Sequence, residues 1–229
     1  MRKWIGIICV ILGATCLLAA IGFIIYNRWE AENAEQITQS LLGEVQLAIE
    51  ENKINDPLQN EGGNPGTTEN VTLPEREEIP TEMATIKVDG CDCVGILAVP
   101  VLELELPVLT NWDYTKLKKA PCHYYGSCYE TDFVIAAHNY KAHFGRLSEL
   151  QAGDIVIFTD VHGGAYYYEV VLLETLPPTA TEEMITSGFD LSLYTCTPNG
   201  GNRVTCEAIY FSIKSFGNED VFSIPEVIW

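Results

Sequence analysis

The sequence has few basic residues. It contains 13 Lys and Arg against 32 Asp and Glu, a formal net charge of −19. Arg2, Lys3 and Arg28 flank an apolar run, so the rest of the chain has 10 basic and 32 acidic side chains. Phosphate backbones and anionic membrane surfaces repel a surface this acidic, which excludes nucleic-acid binding as the main function.

Several other signatures are also missing. The sequence has no internal repeat, no EF-hand spacing among its carboxylates and no Cys-x2-Cys pair. Clustered carboxylates could bind calcium, but no motif supports calcium dependence. The sequence therefore predicts no cofactor.

The N-terminus carries the longest apolar segment, with no charge from residue 4 to residue 27. As a helix, 23 residues span about 35 Å, enough to cross a bilayer. No small-x-small cleavage site follows, so residues 1–28 are predicted to be a retained, single-pass signal anchor. Arg2 and Lys3 place the N-terminus in the cytoplasm and the remaining chain outside the cell membrane.

Two further regions follow the anchor. Residues 29–84 are predicted to form a helical stalk and then an acidic, flexible linker rich in Asn, Gly, Pro, Glu and Thr. The stalk carries one apolar stripe, made by Ile37, Leu41, Val45 and Ile49. Residues 85–229 are long enough for one folded domain.

This domain is rich in short runs with the alternation and composition of β-strands. Only short helical pieces intervene, which favours a mostly β fold, an antiparallel barrel or sandwich. The predicted strands are Ile86–Val88, Val94–Val99, Glu103–Val108, Phe133–Ala137, Asp154–Thr159, Ala165–Leu173, Leu191–Thr195 and Val204–Ile213.

One of these strands ends in a candidate nucleophile, Cys196. Arg203 follows seven residues later, after a turn with the sequence Pro-Asn-Gly-Gly-Asn. A guanidinium near a thiol stabilises the reactive thiolate and can donate hydrogen bonds to an oxyanion. Thr195 is a lesser candidate, because its side chain must face the opposite side of a regular strand.

A cysteine nucleophile needs a proton carrier, and histidine titrates near neutral pH. His138 follows an apolar strand, which would hold its ring rigidly. His143 lies at the start of a predicted helix as a capping or surface residue, His123 lies in a loop, and His162 lies in the turn Asp160–Gly164. His138 is therefore the predicted partner of Cys196.

The remaining cysteines of the domain leave two alternatives open. Cys122 and Cys128 could close a short disulfide loop, whereas full reduction is equally consistent with the sequence. A separate possibility is a zinc-stabilised binding module whose ligands would be Cys91, Cys93, Cys122, His123 and Cys128.

Three of these segments together resemble one family, the sortases. Ser192–Cys196 resembles the family signature Thr-Leu-x-Thr-Cys, with a serine that keeps the first hydroxyl. Ala137-His138-Asn139 matches the catalytic histidine, and Arg203 matches the essential arginine. The opening Gly95–Pro100 is similar to the family's first strand. Tyr140–Leu150 resembles class B or D sortases, whereas the turn after Cys196 resembles pilin-polymerising ones, so the subclass stays open.

The resemblance implies an eight-stranded sortase-type β-barrel and a two-step acyl transfer. Cys196 would attack a Leu-Pro-x-Thr-Gly-like sorting signal of a surface protein, and His138 would carry the proton. Arg203 would bind the substrate backbone or the oxyanion. The acceptor would be an amine of a peptidoglycan precursor or a pilin lysine. The alternatives are a surface cysteine protease or amidase, and an inactive peptide-binding β-domain.

Overall fold

The chain folds into a long helix and a nine-stranded sheet, described in a computed structural model for residues 2–55 and 82–211. Helix α1 is Arg2–Asn55, α2 is Tyr114–Leu117 and α3 is Thr181–Ile185. Short 3-10 turns lie at Pro100–Leu102 and Leu147–Glu149. The strands are β1 Ile86–Val88, β2 Cys91–Val99, β3 Leu104–Leu109, β4 Cys122–Tyr125, β5 Phe133–Ala136, β6 Ile155–Asp160, β7 Ala165–Leu176, β8 Leu191–Cys196 and β9 Arg203–Phe211.

The sheet closes into a barrel. Its strand order is β1-β2-β3-β4-β5-β8-β9-β7-β6, and β2 also pairs with β6. Eight strands, β2 to β9, therefore form a closed barrel, and β1 extends its edge beside β2. Only β3–β4 and β5–β8 are parallel among the pairs of the described residues. The prediction of a mostly β, eight-stranded barrel is confirmed.

Closure depends on a close approach at Gly95. This residue faces Asp160 across the β2–β6 ladder. A Cβ at Gly95 would lie 2.1 Å from the Thr159 carbonyl oxygen and 2.8 Å from the Phe158 ring. A side chain would therefore push the two closing strands apart, so glycine is required here.

Apolar side chains pack on both faces of the barrel wall. The interior core includes Leu97, Phe133, Phe158 and Leu193, each fully buried. A second cluster lies outside the barrel, where α1 covers the outer faces of several strands. Its members include Leu41, Val45, Ile49, Val88, Cys93, Ile96, Leu109, Cys122 and Ala136.

The apolar stripe of α1 thus packs against the barrel. Leu41, Val45 and Ile49 are buried there, and Ile37 is partly buried. Each fully buried aliphatic side chain contributes about 1.5–3 kcal/mol. Polar contacts add to this docking, because Gln46 Nε2 donates to Glu105 Oε1 at 2.8 Å.

The first half of α1 differs from the second. Its described side chains are exposed, including Trp4, Ile8 and Phe23. By length and composition this part of the helix could cross a membrane. The predicted flexible linker falls largely on residues 56–81, outside the described residues.

Each predicted strand overlaps an observed one, with ends that differ by a few residues. The sequence prediction missed β4, where Cys122 and His123 were assigned to a loop. β4 is only four residues long and lies between Pro121 and Gly126. It is stabilised by pairing with β5, a contact that local sequence does not encode.

A buried carboxyl gives the barrel a pH-dependent stability. Glu207 on β9 is 1% exposed and accepts a hydrogen bond from the Ser192 hydroxyl. Burial raises the pKa of Glu207 to about 7. An unfolded Glu has a pKa of about 4.3, so the folded state keeps this proton up to a higher pH than the unfolded state does. The free energy of unfolding therefore falls as pH rises from about 4.5 to 7.

We expect Glu207→Gln to stabilise the protein at pH 8 by up to about 3.5 kcal/mol and to change little at pH 4.5. Gln keeps the shape and removes the charge that folding must bury. Urea unfolding of the detergent-solubilised chain at both pH values measures this difference. Glu169→Gln, at an exposed position of β7, is the matched control. An equal effect of Glu207→Gln at both pH values would contradict the prediction.

Candidate active site

Cys196 and Arg203 face each other across one ladder. Cys196 is the last residue of β8, Arg203 is the first residue of β9, and the two are register partners. Both side chains are half-buried. The connecting turn is closed by hydrogen bonds from Thr197 N to the Asn202 carbonyl at 3.0 Å and from Gly200 N to the Thr197 carbonyl at 2.7 Å. The turn therefore holds the guanidinium-bearing residue beside the thiol.

His138 reaches the same end of the barrel because β5 and β8 run parallel. Three hydrogen bonds join the two strand ends. Ala137 N donates to the Tyr194 carbonyl at 3.1 Å, and Thr195 Oγ1 donates to the Ala137 carbonyl at 2.8 Å. Asn139 Nδ2 donates to the Thr197 carbonyl at 3.3 Å. These bonds flank His138 on one strand and Cys196 on the other.

The imidazole of His138 is half-buried and held by its own loop. Its ring lies 5.0 Å from the Tyr140 ring, and Phe144 N donates to the His138 carbonyl at 3.2 Å. Burial lowers the pKa of His138 below its ordinary value; Glu30 opposes this effect and Lys118 adds to it. Nε2 of His138 is buried and has no hydrogen-bond partner among the described residues. The neutral ring can therefore accept a proton.

The other histidines make structural contacts or lie in turns. His143 is fully buried, so its prediction as a capping or surface residue was wrong. Its Nε2–H donates to Thr38 Oγ1 at 2.8 Å, and burial lowers its pKa to about 4. His123 Nε2 donates to the Gly126 carbonyl at 2.7 Å. His162 lies in the predicted turn, where its backbone N–H donates to Asp160 Oδ1 at 2.9 Å.

All described cysteines are free thiols. Cys122 lies in the cluster under α1 and Cys128 in the barrel interior, so the wall of the barrel separates the two. Burial raises the pKa of Cys93, Cys122, Cys128 and Cys206 to about 12. Within residues 2–55 and 82–211, no group of three or more His, Cys, Asp or Glu side chains could hold a metal, so the proposed zinc ligands do not meet.

Aromatic rings form a surface next to Cys196. Tyr194 lies two residues before Cys196 on β8, so both side chains project from one face of the strand. The Tyr194 ring meets Tyr124 edge-on at 5.5 Å, and Tyr124 stacks on Trp112 at 5.4 Å. This row of rings offers an apolar surface that leads away from the thiol.

The roles of several residues around the site were not predicted from sequence, although Thr195 itself was a lesser candidate. Thr195 is buried and orients the end of β5, a role that its position opposite Cys196 on the strand could have indicated. Asn139, the first polar residue after His138, carried a weaker signal. Nothing local distinguishes Thr38 or Glu30, since both make their contacts with a segment more than 80 residues away.

The comparisons with known proteins decide the family. A family model described as "Sortase domain" matches residues 97–209, a range that contains His138, Cys196 and Arg203. The chain therefore carries a sortase domain over residues 97–209. The subclass predicted from Tyr140–Leu150 stays a prediction.

Several solved sortases are similar to this chain. Sortase A from Corynebacterium diphtheriae is 20% identical, with a TM-score of 0.49 over 57% of this chain and 64% of that one, slightly less than two thirds of its length. Sortase C1 of GBS Pilus Island 1 is 19% identical, with a TM-score of 0.48 over 56% of this chain and 68% of that one. Group B Streptococcus Pilus Island 1 Sortase C2 is 25% identical, with a TM-score of 0.47 over 52% and 74%. No curated protein matches the chain.

Proposed function

We propose that this protein is a membrane-anchored cysteine transpeptidase that cleaves a Leu-Pro-x-Thr-Gly-like sorting signal. The observation that carries this proposal is the register of Cys196 opposite Arg203, with His138 tied to the same strand end by the bonds of Ala137 and Thr195. A nucleophile, a cation and a proton carrier then border one site, which is the arrangement that acyl transfer requires.

The first half-reaction forms a thioester. His138 takes the proton of the Cys196 thiol, and the sulfur attacks the carbonyl carbon of the threonine in the sorting signal. The carbon–nitrogen bond then breaks, and the imidazolium of His138 gives its proton to the departing amine. The pKa of His138, lowered by burial, keeps the ring neutral near pH 7 and ready for the first transfer.

The second half-reaction transfers the acyl group. An incoming amine attacks the thioester, His138 removes its proton, and the carbon–sulfur bond breaks to release Cys196. Arg203 donates hydrogen bonds to the substrate backbone or to the oxygen that becomes negative in each step. Its planar guanidinium offers paired donors that a lysine lacks.

The surroundings of the site fit a peptide with apolar residues. The ring surface of Tyr194, Tyr124 and Trp112 can pack against the leucine and proline of such a signal. The apolar first half of α1 would anchor the enzyme by a single pass, with the barrel outside the cell. The amine would come from a peptidoglycan precursor or a pilin lysine.

Intact-mass spectrometry of the full chain in detergent tests this function. The protein is mixed with a peptide panel that includes Leu-Pro-x-Thr-Gly and Asn-Pro-x-Thr-x sequences, with and without oligoglycine. We expect an adduct on Cys196 and, with oligoglycine, a peptide joined to the amine. An adduct released only by water would favour the protease or amidase alternative. No adduct with any peptide would contradict enzymatic function.

A further inference from the structure

Helix α1 contacts both chain segments that border His138. Glu30 Oε1 lies 2.6 Å from Lys118 Nζ, and its side chain is only 22% exposed. Eight residues further along the helix, Thr38 Oγ1 donates to the Lys119 carbonyl at 2.5 Å. The same hydroxyl accepts the Nε2–H of His143, which lies in the loop that begins at His138. Two successive contacts therefore fix α1 against the wall of the site.

Charged and titratable groups from three segments face His138. Glu30 comes from α1, together with Tyr26, whose ring lies near Lys118 and Tyr140. Lys118 comes from the segment after α2. Tyr140 and His143 come from the histidine's own loop. Glu30 favours the protonated form of the His138 ring, whereas the ammonium of Lys118 disfavours it.

In the ion pair, the Glu30 carboxylate offsets the effect of the Lys118 ammonium on the pKa of His138. Without Glu30, the Lys118 ammonium would act alone on an imidazole that burial already keeps from protonating. Proton transfer to the leaving amine requires the protonated ring to form during each cycle. A carboxylate paired with Lys118 therefore serves the proton carrier without touching it.

We propose that Glu30 is a positioning residue of the active site, whose carboxylate pairs with Lys118 and offsets its ammonium charge next to His138, and that this makes the helix that leaves the anchor part of the catalytic unit. This proposal rests on the proposed function. Glu30 lies outside residues 97–209, which the sortase family model covers. The helix thus adds to this enzyme an element that the family domain does not supply.

NMR titration of the four histidines in the detergent-solubilised full chain tests the proposal, with His138→Gln used for assignment. Glu30→Gln is expected to lower the titration midpoint of His138 by about 0.5 pH unit, and Lys118→Gln to raise it by a similar amount. The double variant should return close to wild type. Glu32→Gln is the matched control, because Glu32 is exposed on the same helix and pairs with Arg28.

The pH profile of kcat/KM supplies the second readout. Its acidic limb should move in the same direction as the NMR midpoint in each variant. Glu30→Asp keeps the charge, so its midpoint and its pH profile should stay close to those of wild type. Unchanged midpoints in Glu30→Gln would overturn the proposal, as would a loss of activity that is equal at every pH. If the midpoints shift but no peptide is transferred, the proposed function fails while the link between Glu30 and His138 stands.

Discussion

Cys196→Ala is expected to abolish the acyl adduct and to lower transpeptidation by at least about 10³-fold. Four other described thiols of the barrel cannot replace it. Cys93, Cys122, Cys128 and Cys206 are buried, and burial raises the pKa of each to about 12, so almost none is thiolate at neutral pH. Cys196 alone among the barrel thiols of residues 82–211 is half-exposed. Intact-mass spectrometry and product analysis measure the loss.

Cys91→Ala is the control for the removal of a thiol, since Cys91 is buried under α1 and distant from Arg203 in the sheet order. It should keep most of the activity. Alkylation of wild type with iodoacetamide at pH 7.5 should label Cys196 first. Acyl transfer that survives in Cys196→Ala, or first labelling at a buried cysteine, would remove Cys196 from the mechanism.

His138→Ala is expected to lower kcat/KM by about 10²–10⁴-fold, the range that general acid–base groups contribute. His143 and His123 cannot substitute, because His143 Nε2 is bonded to Thr38 and His123 Nε2 is bonded to the Gly126 carbonyl. Burial lowers the pKa of His138 from its ordinary value of 6.5. Wild-type activity should therefore rise with pH and reach its plateau already at a pH below 6.5. Steady-state assays of peptide transfer between pH 5 and pH 8 test both statements.

His162→Ala is a suitable control for this substitution, since that ring lies on an exposed turn. It should leave kcat/KM within about twofold of wild type. If His138→Ala loses no more activity than His162→Ala, another group carries the proton. Circular dichroism of both variants would show that the barrel is intact.

The strands of this barrel could be predicted where composition alone identifies them. Phe133–Ala136 and Leu191–Cys196 are apolar and β-branched runs that end at polar loops, and these ends point to His138 and Cys196. The turn before Arg203 could be predicted from its Pro, Asn and Gly content. The strand β4 could not, because four residues with two tyrosines carry too little periodicity to separate a strand from a loop.

Three further features depend on contacts between segments far apart in the chain, and local sequence could not predict them. The stripe on α1 was visible as a pattern, but the pattern could not say that the barrel itself covers it. The burial of His143 depends on Thr38, more than 100 residues earlier in the chain. The choice between free thiols and a disulfide for Cys122 and Cys128 needed the position of the barrel wall, which only the assembled sheet defines.

The unbroken run of α1 from Arg2 to Asn55 sets the distance between the proposed anchor and the candidate active site. At 1.5 Å per residue, Glu30 lies about 3 Å along the axis beyond Arg28, where the proposed anchor ends. With this proposed anchor, the candidate catalytic residues would stand close to the headgroup layer. For the proposed transpeptidase, we expect turnover to follow the number of membrane-held donors and acceptors per unit area of membrane, and soluble peptides to underestimate the rate.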